Sequence, residues 1–148
     1  MKHAELVEIA AKWLKSYGCY VVLKELVTWA RETPDAIGWN SDLSILIECK
    51  TSRSDFFRDS EKHFREHPEK GMGIVRFYMC KEGLIKPDEV PEKWGLLWVT
   101  KKGKVKRAKC FKGKNVGMGY RHTEFNYNDE ITMLCSCIRR MIERLSGA

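Results

Sequence analysis

The sequence predicts an α/β domain, and three observations carry that prediction. Apolar residues recur at helical spacing near both ends, in residues 3–17 and again from Ile131 to Leu145. Between them lie several short runs rich in β-branched and aromatic residues, Leu43 to Lys50 the most strand-like. A third helical pattern, opened by Ser52, separates the early strands from the later ones. The resulting order is α-β-β-β-α-β-β-β-α, read as one domain over residues 1–148 without repeat or linker.

In the first helix Leu6, Ala10, Trp13, Leu14 and Tyr17 form the apolar stripe, Glu5, Glu8, Lys12 and Lys15 the polar side, and Gly18 the stop. Cys19 to Val27 reads as a strand. Thr33 to Asn40 reads as a shorter one, turning at Asn40-Ser41-Asp42 into Leu43–Lys50. Ser52 and Asp55 have capping-box spacing, so a helix begins there, packs through Phe56, Phe57, Ser60 and Phe64, and stops at Pro68. Ile74 to Cys80 and Gly95 to Thr100 read as further strands, the second with the following basic segment as hairpin partner. Residues 112–127 read as irregular, and Asn128 as the N-cap of the last helix.

Composition narrows the class. Hydrophobic residues make up 43% and charged residues 32%, an ordinary balance for a globular chain. No apolar run reaches the roughly 20 residues a bilayer requires, and the N-terminus lacks a secretory pattern. The expectation is a cytoplasmic protein, bacterial or in a phage-infected cell, with no membrane partner. Six cysteines without a C-x-x-C pair lead to the expectation that most are buried, reduced thiols.

Twenty-seven Lys and Arg against twenty Asp and Glu give a formal charge of +7. Residues 101–114 hold eight basic side chains and no acid. Such a run serves either as a lysine-guarded sheet edge or as a surface riding on nucleic-acid phosphates. On the second reading Lys101, Lys102, Lys104, Lys106 and Arg107 contact the backbone.

As a strand, Leu43–Lys50 sends Ile45, Ile47 and Cys49 to one face and Ser44, Leu46, Glu48 and Lys50 to the other. An acid and a lysine therefore emerge side by side where the strand ends. A hairpin about Asn40-Ser41-Asp42 returns Asp35 to the neighbourhood of Glu48. Two close carboxylates repel, and a hard divalent cation, Mg²⁺ or Mn²⁺, relieves that repulsion. Such an ion suits phosphodiester hydrolysis, with Lys50 stabilising developing negative charge. The same residues also fit a surface hairpin carrying a Glu48–Lys50 ion pair.

Pro34-Asp35, twelve intervening residues, then Glu48-Cys49-Lys50 resembles the PD-(D/E)XK signature of the restriction-endonuclease-like nucleases. Thr51-Ser52-Arg53-Ser54-Asp55-Phe56 and Pro91-x-x-Trp94-Gly95-Leu96-Leu97 are similar to small phage and bacterial members, including the MmcB-like kind linked to DNA repair. The resemblance covers residues 3–100 and implies a mixed central β-sheet flanked by helices, the restriction-endonuclease-like core. It implies an Mg²⁺- or Mn²⁺-dependent nuclease acting on DNA in phage DNA metabolism, repair or restriction. Asp35 and Glu48 would be metal ligands, Lys50 the catalytic lysine, and Cys49 the source of a backbone carbonyl ligand. A further glutamate is expected, Glu8 ahead of Glu5 or Glu25. Ser52 and Arg53 open a helix beside the site, where N–H groups and a guanidinium could clamp phosphate. The alternative is a nucleic-acid-binding module that keeps the fold without cutting, with RNA still open as the polymer. A chain this short leaves little room for a separate specificity domain, so a homodimer or a partner protein is expected.

Overall fold

The computed structural model describes residues 1–110 and 121–147. Six strands form one sheet: β1 (Val21–Lys24), β2 (Ala36–Trp39), β3 (Ser44–Lys50), β4 (Val75–Lys81), β5 (Trp94–Val99) and β6 (Val105–Lys109). They lie side by side in chain order. The β1–β2, β2–β3 and β5–β6 pairs are antiparallel, whereas β3–β4 and β4–β5 are parallel. The helices are α1 (His3–Tyr17), α2 (Arg53–Asp59), α3 (His63–Glu66) and α4 (Tyr127–Leu145). The predicted α/β order and mixed sheet are therefore present.

β3 is buried at every position, as a central strand with a parallel neighbour must be. Its alternation splits the core as expected. Ile45, Ile47 and Cys49 join Leu6, Ala10 and Leu14 of α1, while Leu46 joins Phe56, Tyr78 and Trp94 on the opposite face. Gly18 ends α1 at φ 117°, donating its N–H back into the last turn. At Gly95 a Cβ would come within 2.3 Å of the Phe77 ring, so glycine there lets two strands' contents interleave.

Four expectations need correction. The helix opened by Ser52 stops at Asp59 instead of running to Pro68, because the Asp59 side chain is drawn inward to Lys50, Arg65 and Tyr78. Phe57, expected to pack, is exposed. The cap of α4 is Asn126, whose side chain accepts from Asp129 N–H at 3.0 Å, and not Asn128. The apolar stripe of α4 faces outward: Ile131, Ile138, Met141, Ile142 and Leu145 are all exposed, and Glu130 and Met133 are its buried residues. Glu130 sets that rotation by accepting from Trp39 Nε1, Ser44 Oγ and the Gly73 N–H.

Of the six free cysteines, Cys19, Cys49 and Cys80 are buried and Cys135 is exposed. Residues 112–120 of the segment expected to be irregular lie outside the described residues. Among the described residues no helix is long and apolar enough to cross a membrane.

Candidate active site

β3, β4 and β5 run parallel, so Lys50, Lys81 and Val99 finish at the same end of the sheet. Open α/β sheets hold ligands beyond the carboxyl ends of such strands. Asp35 arrives there too. The β2–β3 register ends at Ala36 opposite Ile47, and the next step sets Asp35 across from Glu48. Asp35 Oδ2 accepts the backbone N–H of Cys49 at 2.7 Å, tying the carboxylate to the end of β3.

On its outer side Asp35 meets two residues. His3 Nε2, from the first turn of α1, lies 3.3 Å from Asp35 Oδ1 and 3.0 Å from Glu25 Oε1. Glu25 follows β1 with φ 45°, a left-handed conformation uncommon for a non-glycine residue, and donates its N–H to the Asp35 carbonyl. The ligand atoms of His3, Glu25 and Asp35 all lie within 4.8 Å of one another. One imidazole nitrogen and two carboxylates fit a divalent cation that accepts a nitrogen ligand better than they fit Mg²⁺, which favours oxygen.

On the inner side the predicted residues are engaged with one another's neighbours. Glu48 Oε1 lies 3.2 Å from Arg65 Nη2, and burial raises its carboxyl to about 8, with Asp35 and Glu32 pushing the same way against Arg65. Lys50 Nζ donates to Asp59 Oδ1 at 3.1 Å. Arg65 also donates to Glu32 Oε2 at 2.7 Å and Asp59 Oδ2 at 2.8 Å. Asp59 further pairs with Lys62 at 2.8 Å and accepts from the Tyr78 hydroxyl. Burial alone would raise its pKa, but Arg65, Lys62 and Tyr78 together hold it well below the usual carboxylate range.

The other named residues are spread more widely. Glu8 is exposed and pairs with Lys24, away from the carboxylate group. Ser52 Oγ caps α2 by accepting from Asp55 N–H. Arg53 donates to the Leu84 carbonyl at 3.0 Å and forks onto Glu89. Lys101, Lys102 and Lys104 are exposed in the β5–β6 turn, at the same sheet end as Asp35 and Lys50. Lys106 pairs with Glu82 at 2.7 Å, and Arg107 lies over the Trp13 ring. His3, Arg65, Asp59 and Glu32 were not anticipated. The spacing of three from Asp59 to Lys62 to Arg65, within the stretch expected to be one helix, was the available signal for part of that set.

No family model and no curated protein matches the sequence. Among solved structures the chain is similar to SPO1766, a protein of unknown function from Silicibacter pomeroyi. The two share 18% identity with a TM-score of 0.68, over 99% of this chain and 92% of that one. At that identity the likeness speaks for the fold alone.

Proposed function

We propose that this chain is a divalent-metal-dependent nuclease of the restriction-endonuclease-like kind, hydrolysing DNA phosphodiester bonds in phage DNA metabolism, repair or restriction. The observation that carries the reading is Asp35 seated across from Glu48-Cys49-Lys50 on adjacent antiparallel strands. A helix precedes that pair and another follows it, as the resemblance implies.

Asp35, Glu25 and His3 would hold the ion, with Glu48 joining only on release from Arg65. A bound divalent cation supplies charge neutralisation at the phosphate and acidifies a water. Lys50 offers an ammonium to the developing oxyanion, held ready by Asp59. Lys101, Lys102 and Lys104 supply phosphate contacts at the same sheet end.

One observation favours the second reading, a nucleic-acid-binding module without cleavage. Glu48 and Lys50 are each occupied by an internal partner of opposite charge. The deciding experiment incubates plasmid, single-stranded and branched DNA, and RNA, with Mg²⁺ or Mn²⁺, wild type beside Lys50→Ala. The expected result is metal-dependent cutting of DNA that vanishes in the variant. Salt-sensitive binding without cutting on every substrate would select the non-catalytic module.

A further inference from the structure

A pocket of about 340 Å³ opens at the carboxyl end of β4 and β5, and its walls include Glu5, Lys81, Glu82, Val99 and Lys101. Phe77 and Met79 of β4 pack in one core cluster with Leu6, Ala10 and Leu14 of α1. The period of two carries Lys81, the last residue of β4, to that same α1 face. Lys81 was not among the basic residues that the sequence singled out.

The charges at this pocket do not cancel. Glu82 is taken by Lys106 at 2.7 Å. Lys81 and Lys101 are exposed, as are Lys102 and Lys104 in the adjoining β5–β6 turn. Among the described residues, none of these four ammonium groups has a hydrogen-bond or ion-pair partner. Glu5 is the one lining acid without a cation among the described residues. Four unpaired cations against one carboxylate favour a polyanion, whose binding releases its condensed counterions.

On the α2 side of the sheet end the expected contacts are already engaged. Arg53 forks onto Glu89 and donates to the Leu84 carbonyl, Ser52 Oγ caps α2, and Lys50 is buried against Asp59.

The pocket also stands in a fixed relation to the carboxylate group. His3 and Glu5 lie two residues apart on α1, about 200° around the helix. The first turn of α1 therefore separates the His3–Glu25–Asp35 group from the pocket. Asp35 sits at the end of β2 and the pocket at β4 and β5, so a strand spacing of about 4.8 Å sets them roughly 12 Å apart.

We propose that a nucleic-acid backbone crosses the α1 side of the sheet end, with Lys81 and Lys101 on successive phosphates roughly three to four nucleotide steps from Asp35. The choice of a nucleic acid rests on the reading above. Lys81 is then a positioning residue: it holds the strand and touches no reacting atom.

The test uses the full chain and a fluorescently labelled DNA duplex without divalent metal, so that nothing is cut. Anisotropy titrations over a range of sodium chloride give the slope of log K against log salt, to which each phosphate contact contributes about 0.9. Lys81→Gln and Lys101→Gln should each lower that slope by about one contact and weaken binding about five- to tenfold near 0.1 M salt. Glu5→Gln, which removes the lining carboxylate, should tighten binding. Lys15→Gln removes the same charge at the far end of α1 and should leave the slope unchanged. These side chains are exposed, and thermal melts confirm that each variant folds. A wild-type slope in Lys81→Gln, an equal loss in Lys15→Gln, a loss confined to Arg53→Gln, or no binding at low salt overturns the proposal. Lys81-dependent binding in a protein that cuts nothing keeps the track and discards the nuclease. Metal-dependent cutting with a wild-type slope in Lys81→Gln does the reverse.

Discussion

Cys49 donates its backbone N–H to Asp35 Oδ2 at 2.7 Å, which fixes one carboxylate oxygen and leaves Oδ1 beside His3. The arrangement separates two metal-ligand sets, Asp35 with His3 and Glu25 or Asp35 with Glu48. Asp35→Asn and His3→Ala should each weaken Mn²⁺ binding by about tenfold or more in calorimetric titration. Glu48→Gln should leave it within about twofold. A loss at Glu48→Gln matching that at Asp35→Asn would move the ion to the Asp35–Glu48 pair.

Arg65 touches three buried carboxylates, Glu32, Glu48 and Asp59. Truncating the cation takes one charged partner from each, and breaking a buried pair in this way costs about 3–5 kcal/mol. Arg65→Met should therefore lower the urea midpoint sharply. Arg65→Lys should restore only part, because an ammonium cannot fork across three acceptors. Unchanged stability in Arg65→Met would mean those carboxyls are protonated in the folded protein.

Much of the Asp35–Glu48–Lys50 arrangement was legible in the sequence. The period of two in Ser44–Lys50 assigns faces, and a turn at Asn40–Asp42 returns Asp35 to Glu48. Asn40 does make that turn, its side chain accepting from Asp42 and Leu43 N–H. His3 and Glu25 were harder to read, since a left-handed backbone at a glutamate leaves no pattern in composition or spacing. The inward pull on Asp59 was invisible for another reason. Its partners Lys50 and Tyr78 come from two different strands, and a helical periodicity reports neither.

Glu130 closes the sheet from the α4 side by accepting from Trp39 Nε1 at 2.9 Å, Ser44 Oγ at 3.0 Å and Gly73 N–H at 2.9 Å. Burial raises its pKa, and those three donors pull it part of the way back. Glu130→Ala leaves three donors unsatisfied and should cost about 3 kcal/mol or more in urea unfolding. Glu130→Gln retains an acceptor oxygen and should cost less. Equal losses would show that volume, not hydrogen bonding, holds the helix.

His122 supplies a pH dependence with a definite sign. Its imidazole is lowered from 6.5 to about 4, first by burial and then by Arg76 and Lys93. A depressed value stabilises the folded state above the unfolded value of 6.5, and that contribution disappears as pH falls through about 4. The stability advantage of wild type over His122→Gln, from urea midpoints, should therefore shrink steadily between those limits. A difference that stays flat across them would place the ring in solvent.

The two sides of α4 should respond differently to truncation. Met133 is fully buried against Ile37, Leu46 and their neighbours, whereas Ile138 and Ile142 stand more than half exposed. Met133→Ala should cost about 2–5 kcal/mol through the cavity it opens. Ile138→Ser and Ile142→Ser should each stay within about 0.5 kcal/mol, although both belong to the stripe with the stronger helical period. Thermal melts at two protein concentrations read this directly. A large loss at Ile138 would mean the stripe is covered in solution, and dependence of that loss on concentration would identify the cover as a second copy of the chain.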